Sequence, residues 1–207
     1  MPVVEQQHTA GGFWALWRTD ETEEYLFGRF SKFTPVAAEL QYLSGLRNPR
    51  RRCEWLAWHV MVRELLGTKV ETAYSSDNTP LLKNHPGHIS VSHTGDYVAL
   101  YYSPLPCGID LERTARDFSK AAPRFLSVAE KDVLCNEDPF SLSLVWCAKE
   151  AAYKLARRPA LDFSADIFLK ALDRESRTML IALSDGTEIP MAYRSLHGLT
   201  LVYTSQP

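Results

Sequence analysis

The sequence predicts an α+β fold built from two similar halves. Two observations support this prediction: the order of helix then strands occurs twice along the chain, and a proline-containing stretch at 103–106 separates the two occurrences. A hydrophobic share of 45% over 207 residues is sufficient for one large domain or two small ones. We therefore expect one domain at residues 1–105 and a second at residues 106–207.

The first half contains clear helix-start and helix-stop signals. Thr34 and Pro35 resemble a helix cap followed by a first-turn proline, and Gly67 is placed to end a later helix. The elements that we predict here are strand 13–17, helices 34–44 and 49–66, and strands 88–93 and 97–102 joined by a turn at 94–96.

The second half begins with a strand and continues through two helices. Ser127 and Glu130 have the spacing of a capping box, and Asp138 before Pro139 is a typical helix start. A hairpin-type turn is expected at 185–186. The predicted elements are strand 107–112, a short helix after residue 127, a long helix 138–158, and strand-like apolar runs at 167–172, 179–183 and 199–203.

Charge and cysteine content exclude several classes of protein. The net charge of -2 gives no global attraction to nucleic acid or to a membrane surface. No apolar stretch approaches a membrane span, and the N-terminus lacks the pattern of a signal peptide. The cysteines form no CxxC pair and are expected to be reduced thiols of a cytoplasmic protein: Cys53, Cys107, Cys135 and Cys147.

The segment G-I-D-L-E at 108–112 places two acids on one face of a predicted strand. Because strand side chains alternate, Asp110 and Glu112 point the same way, and two such carboxylates repel unless a cation lies between them. A hard divalent ion such as magnesium is the natural partner. Gly108 would allow another group to approach closely. The alternative is an edge strand with two solvated acids.

A second segment, W-C-A-K-E-A-A-Y-K at 146–154, lies on the long predicted helix. Trp146, Glu150 and Lys154 follow at intervals of four residues and therefore share a stripe. Glu150 could add a third carboxylate to the metal, and Lys154 could neutralise a phosphate. The alternative is an ordinary Glu–Lys pair on a helix surface.

These two segments resemble the signature motifs of the 4'-phosphopantetheinyl transferases. Three further segments are similar to this family in the same order: N-T-P at 78–80, S-V-S-H-T at 90–94 and F-L-S-V-A-E at 125–130. The resemblance covers about residues 50 to 165, and the chain length resembles the larger monomeric (surfactin-synthetase-activating) type, which activates peptide-synthetase and fatty-acid carriers.

The resemblance implies a fold, a reaction and a set of site residues. The two α+β halves would form a pseudo-dimer with the active site in the cleft between them. The enzyme would transfer phosphopantetheine from coenzyme A to a serine of an apo acyl or peptidyl carrier protein, for fatty acid, polyketide or peptide synthesis, releasing adenosine 3',5'-bisphosphate. Magnesium, with manganese as an alternative, would be bound by Asp110, Glu112 and Glu150. Glu150 is also the candidate general base, acting directly or through a water, and Lys154 would assist catalysis.

Coenzyme A contacts are implied mainly in the first half. They are Arg50, Arg52, Asn78, Thr79, Ser92 and His93, together with Lys154 from the second half. The cluster 50–52 could bind the 3'-phosphate or could simply be a solvated helix start. His59 stands where related sequences commonly have arginine, and its apolar surroundings favour a core histidine.

A basic stripe is expected if the segment after the acidic strand is helical. Its members would be Arg113, Arg116, Lys120 and Arg124, and it would suit an acidic carrier, although a solvated face is the alternative. Two other functions remain open: hydrolysis of coenzyme A-type pyrophosphates, and non-catalytic binding of coenzyme A or a carrier. Dinucleotide and Walker-type phosphate loops are absent from the sequence.

Overall fold

The computed structural model describes residues 3–134, 136–158 and 160–205. The chain divides into two compact units, Met1–Pro106 and Cys107–Pro207, which are called the N-terminal unit and the C-terminal unit below. Each unit contains helices and an antiparallel sheet, so the coarse α+β prediction is confirmed.

The N-terminal unit packs a long helix against a twisted antiparallel sheet. Its elements are β1 Val3–His8, β2 Phe13–Arg18, α1 Glu23–Ser31, α2 Ala37–Gly45, α3 Pro49–Leu66, β3 Thr72–Tyr74, β4 Pro80–Leu82, β5 His88–Thr94 and β6 Tyr97–Ser103. The described sheet has the order β1-β2-β6-β5, and β3 pairs with β4 separately. The core lies where α3 covers the sheet, and Trp17, Phe30 and Leu56 are completely buried there.

Helix α3 has the predicted bounds, whereas α2 begins later than predicted. The side chain of Asn48 caps α3 by accepting hydrogen bonds from the backbone of Arg50 and Arg51 at 2.9 and 3.3 Å. Thr34 adopts φ 54°, outside the helical region, and α2 starts only at Ala37. The predicted role of Thr34 and Pro35 as cap and first residue of α2 is therefore wrong.

The C-terminal unit has the same kind of layering with a different strand order. Its elements are β7 Ile109–Arg113, a 3-10 helix Ala122–Arg124, α4 Val128–Leu134, α5 Pro139–Ala156, β8 Ile167–Asp173, β9 Thr178–Leu183, β10 Glu188–Leu196 and β11 Leu199–Thr204. The described sheet has the order β7-β11-β10-β9-β8, and α5 lies across β7 and β11. The sheet order places β7 at one end of the sheet.

Local signals explain the ends of α5 and α4. Asp138 caps α5 by accepting from the backbone of Ser141 at 2.9 Å. The helix ends at Ala156 rather than at residue 158, because Arg157 takes a left-handed conformation with φ 51°. In the capping box of α4, Glu130 accepts from the backbone of Ser127 at 2.8 Å, whereas the Ser127 hydroxyl has no partner among the described residues.

A buried ion pair fixes α5 within the C-terminal unit. Lys149 Nζ lies 2.7 Å from Glu130 Oε1 and donates to the carbonyl of Phe163 at 2.7 Å. The same Glu130 oxygen accepts from the backbone of Leu169 on β8 at 2.7 Å. Burial lowers the pKa of Lys149, and the neighbouring carboxylate of Glu130 acts in the opposite direction. This network connects α5 to α4, to the chain at Phe163 and to β8.

The described cysteines are free thiols, as predicted. Cys107 and Cys147 are buried, Cys53 is partly buried, and burial raises the pKa of Cys107 to about 12. Cys135 lies outside the described residues.

Within the described ranges, no helix combines the length and apolar character needed to cross a membrane.

Candidate active site

The two acids of β7 are buried rather than solvated. Asp110 is 6% exposed and Glu112 is 8% exposed, although β7 lies at the end of the sheet. Ile109 and Leu111, which alternate with these acids along the strand, are also buried, so both faces of the strand are covered. The alternative of an edge strand with two solvated acids is therefore wrong. Burying carboxylates is costly unless cations and hydrogen bonds compensate for the lost hydration.

Helix α5 reaches the acidic strand because residue 108 is a glycine. A Cβ atom at Gly108 would lie 2.0 Å from the carbonyl oxygen of Ala151. The backbone of Gly108 is fixed from the other side by Thr204, whose hydroxyl accepts from the Gly108 N–H at 3.1 Å. The close approach expected at Gly108 is confirmed, and the approaching group is the backbone of α5.

Lys154 of α5 binds the first acid directly. Its Nζ lies 2.7 Å from Asp110 Oδ1 and donates to the carbonyl of Ile109 at 2.9 Å. The contact joins the two motifs that were found separately in the sequence. The interpretation of Glu150 and Lys154 as a simple surface pair on one helix is thus incomplete, because Lys154 reaches across to β7.

Glu150 is a partly buried carboxyl group beside Asp110. Burial raises the pKa of Glu150, and the negative charge of Asp110 raises this pKa further, whereas Lys154 and Arg116 act in the opposite direction. A carboxyl group with a raised pKa is a better proton acceptor once it is ionised. The acidic cluster, defined here as Asp110, Glu112 and Glu150, therefore contains a group suited to general base catalysis.

Arg116 neutralises the second acid of β7. Its Nη1 atom is bonded to Glu112 Oε2, while Glu112 Oε1 accepts from the backbone of Arg113 at 2.8 Å. The guanidinium carbon lies 4.7 Å from the ring centroid of Phe118 and 5.8 Å from that of Trp146. These distances are typical of cation–π contacts.

The basic stripe that depended on a helix after β7 does not form. The residues between Arg113 and Ala121 form turns and extended chain, and only the short 3-10 helix Ala122–Arg124 follows. Arg116 faces the acidic cluster instead of forming a helical stripe with Lys120. A helical spacing of three and four residues was misleading here, because Glu112 and the rings of Phe118 and Trp146 hold Arg116 against the site.

The acidic cluster has suitable ligands for magnesium but is charge-compensated by the chain itself. Magnesium prefers oxygen ligands, and Asp110, Glu112 and Glu150 supply them. Among residues 3–134, 136–158 and 160–205, no three His, Cys, Asp or Glu side chains form a group that could hold a metal. Instead, Lys154 is bonded to Asp110 and Arg116 to Glu112. The donor chemistry of the three carboxylates thus fits the ion, while two of them are paired with cations of the chain itself.

The N-terminal unit has its own pocket of about 390 Å³, lined by aromatic and charged groups. Its lining is Tyr42, Leu46, Arg51, Glu54, Trp55, Trp58, Tyr74, Pro80, Val91 and His93. Tyr42 stacks on Tyr74 with ring centroids 4.6 Å apart. The pocket thus combines a flat apolar wall with a charged edge, which suits a heterocycle that carries a phosphate.

The charged edge of this pocket is organised by Glu54. Its nearly buried carboxylate accepts from Arg50 Nε at 3.2 Å and from Arg51 Nη1 at 3.0 Å, and His93 Nδ1 lies 3.6 Å away. Arg51 also contacts the ring of His93. Arg52 turns elsewhere, because it pairs with Glu23 at 2.7 Å and donates to backbone carbonyls. Of the 50–52 cluster, only Arg51 lines the pocket.

The other candidate coenzyme A residues lie on β5 and on the loop before β4. Ser92 is buried on β5, one residue before His93. Asn78 has φ 60°, a conformation that asparagine tolerates better than most residues, and Thr79 donates to Asp77 at 3.0 Å. Pro80, which follows them, lines the pocket. The loop is therefore preformed beside the pocket.

His59 is a core residue and does not reach the pocket edge. It is fully buried between Trp55 and Trp58, whose ring centroids lie 3.4 and 3.5 Å from its own. Its Nδ1 lies 2.7 Å from the carbonyl of Trp55, and its Nε2 has no partner among the described residues. Burial holds the pKa of His59 well below the ordinary histidine value, so the ring is neutral. The core interpretation is confirmed.

Sequence reasoning missed three residues that shape these sites. Arg51 belongs to the candidate cluster 50–52, but nothing in the sequence distinguishes it from Arg50 and Arg52. Glu54 was missed because an i, i+3 and i, i+4 pairing with two arginines is also the pattern of a solvated helix face. The helical spacing of Arg113, Arg116 and Lys120 predicts a surface stripe and gives no sign that Arg116 contacts Glu112.

The comparisons with known proteins agree with the motifs of the C-terminal unit. A family model described as the 4'-phosphopantetheinyl transferase superfamily matches residues 106–201. The comparison with curated proteins found no match. Residues 106–201, somewhat less than half of the chain, are therefore similar to this superfamily. The larger monomeric subtype stays a prediction.

Proposed function

We propose that the protein transfers the 4'-phosphopantetheine group of coenzyme A to a serine hydroxyl of an apo acyl or peptidyl carrier protein. The reaction breaks the bond between the two phosphates of coenzyme A and releases adenosine 3',5'-bisphosphate. One observation carries the proposal: the motifs around Asp110 and Lys154, 44 residues apart, meet at a 2.7 Å ion pair within the domain that matches the superfamily.

Glu150 is the proposed general base. The serine hydroxyl is a weak nucleophile that needs to lose its proton during attack. A partly buried carboxylate whose pKa is raised accepts a proton more readily than a solvated one. Glu150 would take this proton directly or through a water molecule, and the proton would later leave to solvent.

Lys154 is the proposed phosphate ligand on the C-terminal unit. Its ammonium already lies at the acidic cluster, so a pyrophosphate bound there would lie close to a positive group as well as to the carboxylates. When bound by the acidic cluster, magnesium (or manganese) would neutralise charge on the pyrophosphate. Positioning and charge neutralisation would supply most of the rate enhancement, as in other phosphoryl transfers.

The pocket of the N-terminal unit is the proposed site for the nucleotide end of coenzyme A. The aromatic wall would hold the adenine, and the charged edge would bind the 3'-phosphate. Arg51 and His93 are the contacts best placed for this role because both line the pocket, with Arg50 beside them. Ser92, Asn78 and Thr79 stay in the proposed set as neighbours on β5 and on the loop. For Arg52 we propose a role in anchoring helix α3 and no contact with coenzyme A.

The remaining features of the proposal rest on the resemblance. They are a monomeric pseudo-dimer of two similar α+β units, a cytoplasmic location, and a role in fatty acid, polyketide or nonribosomal peptide synthesis.

The reaction is tested by following the leaving group. Purified protein is mixed with coenzyme A and magnesium, with or without an apo carrier, and adenosine 3',5'-bisphosphate is measured by chromatography. Release that requires the carrier, and that a chelator abolishes, supports the transferase. Release without carrier, together with free phosphopantetheine, would identify a hydrolase instead. Binding of coenzyme A with no release on any carrier would indicate a non-catalytic protein.

A further inference from the structure

We propose that Arg116 is an internal counter-ion that competes with the divalent cation for Glu112. The guanidinium is hydrogen-bonded to this carboxylate, and it competes with the ion for the carboxylate oxygens. The inference rests on the proposed function, because it concerns the metal ligands assigned there.

The guanidinium of Arg116 lies on the carboxylate of Glu112, which is one of the proposed metal ligands. Arg116 Nη1 is bonded to Glu112 Oε2, and the other carboxylate oxygen of Glu112 accepts from the backbone of Arg113 at 2.8 Å. A divalent ion on Glu112 would lie within a few ångströms of the guanidinium. Two cations at such a distance on a mostly buried carboxylate repel strongly, since the local dielectric is lower than that of water. The guanidinium therefore disfavours a divalent ion on the same carboxylate.

The charge balance of the site gives the same result. The acidic cluster carries three carboxylates, and Lys154 and Arg116 provide two positive charges bonded to two of them. Like-charged carboxylates near each other need cations, and here the chain supplies these itself.

The support beneath Arg116 allows it to move without damage to the core. The guanidinium lies over Phe118 and Trp146, and the side chain of Arg116 is 49% exposed. The rings remain packed on each other, with centroids 5.5 Å apart. Arg116 can leave Glu112 while the guanidinium stays on this aromatic surface or enters water. An arginine buried in the core would not have this freedom.

Binding of Mn²⁺ by the whole protein, without coenzyme A, tests the proposal. Electron paramagnetic resonance distinguishes free from bound Mn²⁺. It is recorded for the wild type, Arg116→Gln, Arg116→Lys and Arg124→Gln. Arg124 is an exposed arginine on the 3-10 helix, so its variant controls for the loss of one positive charge. We expect Kd for Mn²⁺ to fall about tenfold in Arg116→Gln and to stay near the wild-type value in the other two.

Thermal melting provides a second readout of the same competition. Arg116→Gln should melt at a lower temperature than the wild type without metal, and millimolar Mg²⁺ should raise its melting temperature more. If Arg116→Gln does not fold, Arg116→Met keeps an apolar stem on Phe118 and Trp146 and carries the same expectation.

The outcomes separate the inference from the proposed function. If the wild type binds Mn²⁺, and folded Arg116→Gln or Arg116→Met binds it with equal or weaker affinity, the proposed competition is overturned. The metal site of the proposed function would stand in that case. Absence of Mn²⁺ binding in every variant would overturn the metal site of the proposed function and this inference with it.

Discussion

Lys154 Nζ lies 2.7 Å from Asp110 Oδ1, although the two residues are 44 positions apart in the chain. The pair joins α5 to β7 and brings the ammonium to the mostly buried carboxylate of a neighbouring motif. Because Asp110 is only 6% exposed, this cation offsets part of the cost of burying its charge. The same pair would be the meeting point of phosphate and metal ligands in the proposed reaction.

Glu150→Gln should lose transfer activity while the protein remains folded. Loss of a general base lowers a rate by about 10²–10⁴-fold. Because burial and Asp110 both disfavour the charged form of Glu150, the neutral amide should not lower the melting temperature. Initial rates and melting curves check both statements. Glu137→Gln removes an exposed carboxylate and is the control; wild-type rates in Glu150→Gln would exclude the assigned base.

Asp110→Asn should also lose nearly all transfer activity. The amide keeps an oxygen for Lys154 but removes the charge that the site needs for a cation. We expect a loss of about 10²-fold or more in kcat/KM. Retention of most of the rate by this variant would mean that the metal site lies elsewhere.

Arg51→Gln should raise KM for coenzyme A more than KM for 3'-dephospho-coenzyme A. Arg51 lines the pocket edge beside His93, and a charge-assisted contact to phosphate is typically stronger than a neutral one. Arg47→Gln, a change at a nearby exposed arginine, is the control. Equal increases of KM for the two substrates would remove Arg51 from the 3'-phosphate site.

Gly108→Ala should destabilise the protein and reduce activity together. The added methyl group would meet the carbonyl of Ala151 at 2.0 Å, so α5 would have to move away from β7. Such overpacking costs about 1–3 kcal/mol in the free energy of unfolding. Urea denaturation measures this cost. Gly28→Ala is the control: nothing lies within 4 Å of its Cβ, and it should stabilise α1 by about 0.5–1 kcal/mol.

His59→Phe should flatten the acid side of the stability profile. Burial depresses the pKa of His59 far below 6.5, so below about pH 6.5 the unfolded chain binds a proton that the folded chain does not. This difference costs the wild type up to about 1.4 kcal/mol per pH unit. Denaturation at pH 7.5, 6.5 and 5.5 measures the slope. His8→Gln removes an exposed histidine instead, and an identical slope in His59→Phe and wild type would contradict the assignment.

Some elements could be predicted because their local signals are strong. Helix α3 has a capping asparagine before it, a proline at its first position and Gly67 with φ 134° after it, and its predicted bounds are confirmed. Strand β10 was missed, since Pro190 lies inside it and proline usually argues against an interior strand. Helix α2 was placed too early because the conformation of Thr34 is not visible in the residue type.

The candidate site was predictable in its residue types but not in its pairings. Alternation on β7 predicts that Asp110 and Glu112 share one face of the strand, yet their burial depends on α5 and on the chain that follows β7. Which arginine contacts Glu112 depends on a non-helical turn and on two aromatic rings, and no short-range pattern encodes this. Tertiary contacts decide the partners of charged side chains in both units.

Intact-mass spectrometry of the carrier tests the central claim most directly. The protein is incubated with coenzyme A, magnesium and a panel of apo acyl and peptidyl carriers, and each carrier is weighed before and after. We predict that at least one carrier gains a single phosphopantetheine, and that chelator or Asp110→Asn prevents the gain. Free phosphopantetheine with every carrier unchanged in mass would contradict the account.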